Sequence, residues 1–200
     1  MTIKQIISLI KLNLNDVKGD LDDRHLITLF ETRLATYVKN YLNKNLQVAN
    51  SELVVKLKIN HDANNKYNET FAIPKLIRNN HGYSILNASF DIFFQELLIY
   101  KRTIEELSKS GIFYMTSGFT YYTIHDDKII LNNRVNPAFL LQDYVYIKGY
   151  FERPSEVMLL GINSKNLSDI YNFEYPAPID FINYILNDIS KGNNNKQEEI

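Results

Sequence analysis

Four histidines, His25, His61, His81 and His125, and a few adjacent carboxylates are the side chains of this 200-residue chain that could bind a metal or move a proton near neutral pH. The histidines fall in four separate segments, and none has a second histidine at metal-ligand spacing. His125-Asp126-Asp127 has the composition of an acid/base cluster, but it lies between two runs of β-forming residues, where Asp serves first as a turn former. Asp22-Asp23 and Glu105-Glu106 are neighbours in helical segments. Successive helical side chains diverge by about 100°, so neither pair builds a carboxylate dyad. With no cysteine in the chain there is no thiolate nucleophile, no thiolate zinc site and no disulfide framework. The glycine-rich phosphate loops, G-x-S-x-G and H-E-x-x-H are absent as well. No catalytic residue, metal or cofactor is therefore assigned, and a non-enzymatic role is expected.

The tyrosines carry more information. Tyr144, Tyr146 and Tyr150 alternate with apolar residues and share one face of a strand with Lys148, while Tyr121 or Tyr122 lies on a neighbouring hairpin whose tip is Asp126-Asp127. A helix packed over that face would make these rings rim residues of a core. The functional reading is a protein interface, because tyrosine supplies large, rigid contact area. Tyr144, Tyr146, Lys148, Tyr150, Tyr122, Asp126 and Asp127 are accordingly the expected interface residues. Base stacking on an open sheet is a third reading, weakened by the charge balance: Lys+Arg 22 against Asp+Glu 23 gives a net charge of −1 and no basic field for phosphates.

The elements that must position these residues read as follows. Thr2 and Gln5 have capping-box spacing, and Ile3, Ile6, Ile7, Ile10 and Leu14 mark an amphipathic helix to about Asn15. A second helix, capped by Asp20 or Asp22, carries Leu26, Ile27, Phe30, Leu34, Val38 and Leu42 on one stripe. Leu53, Val55, Leu57 and Ile59 alternate as a half-wet strand, followed by a polar loop over His61–Glu69, an edge strand over Phe71–Ile77 and a turn at Asn79–Gly82. Ser89 is expected to cap a central helix over Phe90–Lys109. Next come a hairpin of Phe119–Ile124 with Lys128–Leu131 and a strand over Asp143–Phe151, three strands that predict a meander. A last helix starts near Pro178 and stops at Gly192. The fold class expected is α+β: amphipathic helices packed with a small antiparallel β-meander or hairpin sheet. Residues 1–192 are expected to form one domain with a protruding hairpin or loop, and 193–200 a mobile polar tail. No apolar run approaches the ~20 residues of a membrane span. Asn, Ile, Lys, Tyr and Phe make up 89 of the 200 residues, a bias of AT-rich genomes.

The helical segment Ile3 to Leu42, the hairpin Tyr121 to Leu131 and the strand Tyr144 to Glu152 leading into Arg153-Pro154 follow one another in an order similar to that of the head–tail connector proteins of short-tailed phages. These are the adaptor, ring or tail tubular proteins, including the ring proteins of crAss-like gut phages. The His61–Glu69 loop and the Val157–Tyr175 region depart from that layout. What the resemblance implies is a virion structural protein, assembled in the host cytoplasm. It would form a homo-oligomeric ring beneath the portal, contact the portal and other tail or ring proteins, and let DNA pass through its channel without sequence-specific binding. The competing expectation is a monomeric protein- or peptide-binding module of an AT-rich bacterium or phage that works through an exposed strand edge.

Overall fold

A computed structural model describes residues 1–15, 20–46, 48, 50–61, 67–95, 99–101, 120–132 and 142–197. Its helices and mostly antiparallel, curled sheet make it an α+β protein. The chain divides into two compact units, one of residues 1–53, 77–84 and 150–200, the other of residues 54–76 and 85–149.

The first unit is helical. Helix α1 (Ile3–Asn13) begins with the expected capping box: the Gln5 amide donates to Thr2 Oγ1 (3.3 Å), and the Thr2 amide donates to Gln5 Oε1 (2.9 Å). Helix α2 (Asp23–Asn43) starts after Asp22, which makes no side-chain cap bond. The acidic start acts instead through Asp23, which pairs with Lys11 at 2.8 Å and accepts the Tyr171 hydroxyl proton. The predicted stripes of both helices are buried, with Ile3, Ile6, Ile10, Leu26 and Phe30 in one apolar core. Ile182, Ile185, Leu186 and Ile189 of the last helix complete that core. Strands β3 (Arg78–Asn79) and β4 (Gly82–Tyr83) form the hairpin expected around Asn79–Gly82, with Gly82 at φ 108°, which a side chain would strain.

The second unit is a seven-stranded sheet. Its strands are β1 (Leu53–Asn60), β2 (Tyr67–Thr70), β5 (Ile85–Ser89), β6 (Ile99–Lys101), β7 (Thr120–His125), β8 (Lys128–Asn132) and β9 (Tyr144–Gly149), in the order β5-β9-β1-β2-β8-β7-β6. The described pairings are antiparallel except β6 with β7. Cα atoms of the edge strands β5 and β6 come within 8 Å of each other, so the sheet curls most of the way to closure. The inward rows Val55, Leu57 and Ile59, Ile129 and Leu131, and Val145 and Ile147 fill its interior.

Several expectations change here. The β7–β8 hairpin forms, but β9 does not extend it as a meander; it lies between β5 and β1. The central helix expected over Phe90–Lys109 is turn over Phe90–Gln95 and strand β6 at Ile99–Lys101, while residues 102–109 lie outside the described set. The cause is local. Ser89 Oγ accepts the Asp91 amide, and the Asp91 carboxylate accepts the amides of Phe93 and Gln95, so side chains satisfy the donors that a helix would have used. Tyr67–Glu69 belongs to β2 rather than to a loop, with residues 62–66 undescribed, and Phe71–Ile77 is irregular. Returning to the first unit, the segment after Arg153 forms helix α3 (Pro154–Gly161) with Pro154 at its start, and Leu167–Ile170 is a short 3-10 turn. Helix α4 (Ile179–Gln197) runs through Gly192, whose helical penalty of about 1 kcal/mol is too small to stop it. Residues 198–200 of the expected tail are undescribed.

Candidate functional site

The hairpin tip is built by turn chemistry. His125 pairs with Lys128 across a two-residue turn in which Asp126 and Asp127 have φ of 49° and 56°. Positive φ at both positions is the type I′ geometry that matches strand twist, and Asp tolerates it better than most residues. His125 Nδ1 lies 3.1 Å from Asp126 Oδ2, and Lys128 Nζ is bound to Glu69 at 3.0 Å. The Ile73 amide donates to the Asp127 carbonyl at 2.7 Å, which fastens the segment after β2 to the turn. Two residues earlier, Phe71 stands 62% exposed. Phe71 and the carboxylates of Asp126 and Asp127 are thus exposed on two segments tied together by that bond, a link the linear spacing of Phe71 and Asp127 did not reveal.

The tyrosine face separates into exposed and buried members. On β9, Tyr144 is exposed, and Tyr146 and Lys148 are half-buried. Strand β1 lies beside β9 and adds Lys56 and Lys58 to this surface, with Lys56 Nζ 3.9 Å from the centre of the Tyr144 ring. Tyr150 follows the strand and is 2% exposed in the helical unit, where its hydroxyl donates to the Val48 carbonyl (3.2 Å) and accepts the Val48 amide (3.3 Å). Tyr122 is 3% exposed within the sheet unit, and burial pushes its phenol well up. Tyr122 and Tyr150 are therefore core residues of the folded chain and present no area to a partner. Alternation on a strand is blind to the point at which the chain leaves the sheet, which is what places Tyr150 in a core.

His61, the other histidine near a possible site, is held structurally. Its Nε2 lies 3.0 Å from the Gln142 carbonyl and 4.0 Å from Asp143 Oδ1, and its Nδ1 lies 3.1 Å from the Asn68 side-chain amide. Among the described residues no three His, Asp or Glu side chains come together as a metal site.

Sequence reasoning missed a buried carboxylate. Glu31 is 1% exposed and accepts the Ser155 amide (2.7 Å), the Ser155 hydroxyl (2.9 Å) and the Tyr175 hydroxyl (3.2 Å). It thereby ties α2 to the first turn of α3 and to the strand-like segment at Tyr175. Desolvation raises its pKa to about 7 against the pull of those donors, with a further push from Glu156. Tyr175, wholly buried beside it, has its phenol raised well above the usual value, by desolvation first and the Glu31 charge second. The signal was present: Glu31 stands four residues after Ile27 and three before Leu34, on the apolar stripe. The void beside it measures about 10 Å³, the size of one water. Glu31 is a fastening rather than an accessible catalytic acid.

An open groove of about 630 Å³ lies where α1 meets the start of α4, lined by Met1, Lys4, Gln5, Ser8, Leu9 and Ile179. Leu12, one turn further along α1, is 71% exposed. Beyond it, Tyr37 and Tyr41 of α2 pack with Phe181 and Tyr184 of α4, Tyr37 stacking on Tyr184 at 4.6 Å between ring centres.

Compared with models of known protein families and with curated proteins, the chain matches none.

Proposed function

We propose that this chain is a structural subunit of a phage virion, a head–tail connector or ring protein that assembles with copies of itself beneath the portal and links capsid to tail around the DNA channel. The role is non-catalytic, and the protein is assembled in the host cytoplasm. The order of a helical N-terminal segment, a hairpin and a tyrosine strand supports the reading, through the resemblance it carries. The observation that carries it furthest is the apolar surface each unit leaves in water. Phe71 stands on the sheet unit, and Leu12 and Ile179 (50% exposed) stand on the helical unit. A heterologous, head-to-tail ring contact uses two unlike surfaces of one chain, and these exposed side chains lie on two different units. Among the described residues no helix is long and apolar enough to cross a membrane.

A monomeric module that takes a peptide along a free strand edge has less support, because curling brings the edge strands β5 and β6 together. Quantitative mass spectrometry of purified native particles tests the proposal. The expected result is the chain present at a fixed multiple relative to the portal protein; its absence from particles would contradict the assignment.

A further inference from the structure

We infer that successive copies are joined by the hairpin tip of one copy seated in the α1–α4 groove of the next. This deepens the ring reading and rests on it, naming the partner as a second copy of this chain and the contact as tip into groove.

The two surfaces are opposite in charge. The sheet unit offers an exposed aromatic ring, Phe71, whose amide donates to the Lys58 carbonyl (3.2 Å), two residues before the Ile73 amide that donates to the Asp127 carbonyl of the turn. The turn itself exposes two carboxylates, Asp126 and Asp127. Lys128, the basic side chain at the turn, is engaged by Glu69, and Asp126 Oδ2 lies 3.1 Å from His125 Nδ1. The open groove offers aliphatic walls from Leu9 and Ile179. Lys4 is the one charged side chain among its lining residues, is exposed, and among the described residues has no carboxylate within 4.0 Å. Seated there, Phe71 would cover the apolar wall while Lys4 met the two carboxylates, pairing apolar with apolar and opposite charges across the contact. The surfaces belong to different parts of the chain, so the contact is heterologous and propagates from copy to copy until rotation closes it.

The absence of cysteine makes the contact directly measurable, since any disulfide reports only introduced thiols. Two single variants, Phe71→Cys and Ile179→Cys, are purified separately, mixed and mildly oxidised; both positions are exposed, so neither change disturbs a core. A disulfide-linked dimer is expected in the mixture and not in either variant alone, because the bond needs Cβ atoms about 3.5–4.5 Å apart. Leu160→Cys, exposed on α3, replaces Ile179→Cys as the control and is expected to give no linkage. Adding Lys4→Glu to the groove variant should cut the linked fraction about tenfold, and Asp126→Lys with Asp127→Lys on the tip variant should restore it. If wild-type chain self-associates by light scattering but the mixture links no more than the control, the docking mode is wrong and the ring reading stands. If wild-type chain is monomeric at every concentration, both fall.

Discussion

At the scale of single residues, the buried carboxylate and the buried phenol make the sharpest predictions. Glu31 titrates with a folded-state pKa of about 7, above its ordinary 4.5, so the folded state binds the proton more tightly than the unfolded chain does. Its contribution to stability is therefore fully present below about pH 4.5 and is lost as pH rises through 7. Glu31→Gln keeps an acceptor for the Ser155 amide without the buried charge. Its melting temperature should exceed wild type at pH 8 and converge with it near pH 5; a constant offset across that range would show that the Glu31 charge is not what titrates. Tyr150→Phe removes the partner of both Val48 backbone groups and should cost about 1–3 kcal/mol in denaturant unfolding. Tyr144→Ser loses only an exposed ring under Lys56 and should cost less than about 1 kcal/mol. These two tyrosines look equivalent in the sequence, and the structure gives one to the core and the other to the surface.

At the scale of elements, the turn of the β7–β8 hairpin separates folding from assembly. Asn-Gly suits the positive φ of both turn positions better than Asp-Asp, so Asp126→Asn with Asp127→Gly should stabilise the hairpin by roughly 0.5–1 kcal/mol. The same change removes the charges proposed to meet Lys4, so self-association should weaken while thermal stability rises. Loss of both together would mean that the turn matters only for folding. Elements with a local signal were legible in the sequence. The Thr2–Gln5 box, the apolar stripe from Leu26 to Val38 and the turn at Asp126-Asp127 each depend on neighbours a few residues away. What was not legible depends on distant or competing partners. The helix expected after Ser89 gave way to Ser89 and Asp91 bonds with the following amides. The place of β9 beside β1 and the bond from the Ile73 amide to the Asp127 carbonyl are tertiary facts without local pattern. Of the expected interface residues, Asp126, Asp127, Tyr144, Tyr146 and Lys148 remain on or near the surface, and Tyr122 and Tyr150 do not.

At the scale of the whole molecule, a helical unit and a curled-sheet unit each bury an apolar core and each exposes large apolar side chains, Leu12 and Ile179 on the first and Phe71 on the second. Contacts between Lys4 and the tip carboxylates at a solvent-accessible rim should make self-association weaken as ionic strength rises from about 0.05 to 0.5 M, since screening lengths shrink over that range. Sedimentation velocity on the purified chain across a wide concentration series tests the central claim most directly. The account predicts a shift from monomer to one discrete higher-order species of fixed stoichiometry, as a closed ring requires. A single monomer boundary at all concentrations, or an unlimited ladder with no preferred size, would contradict it.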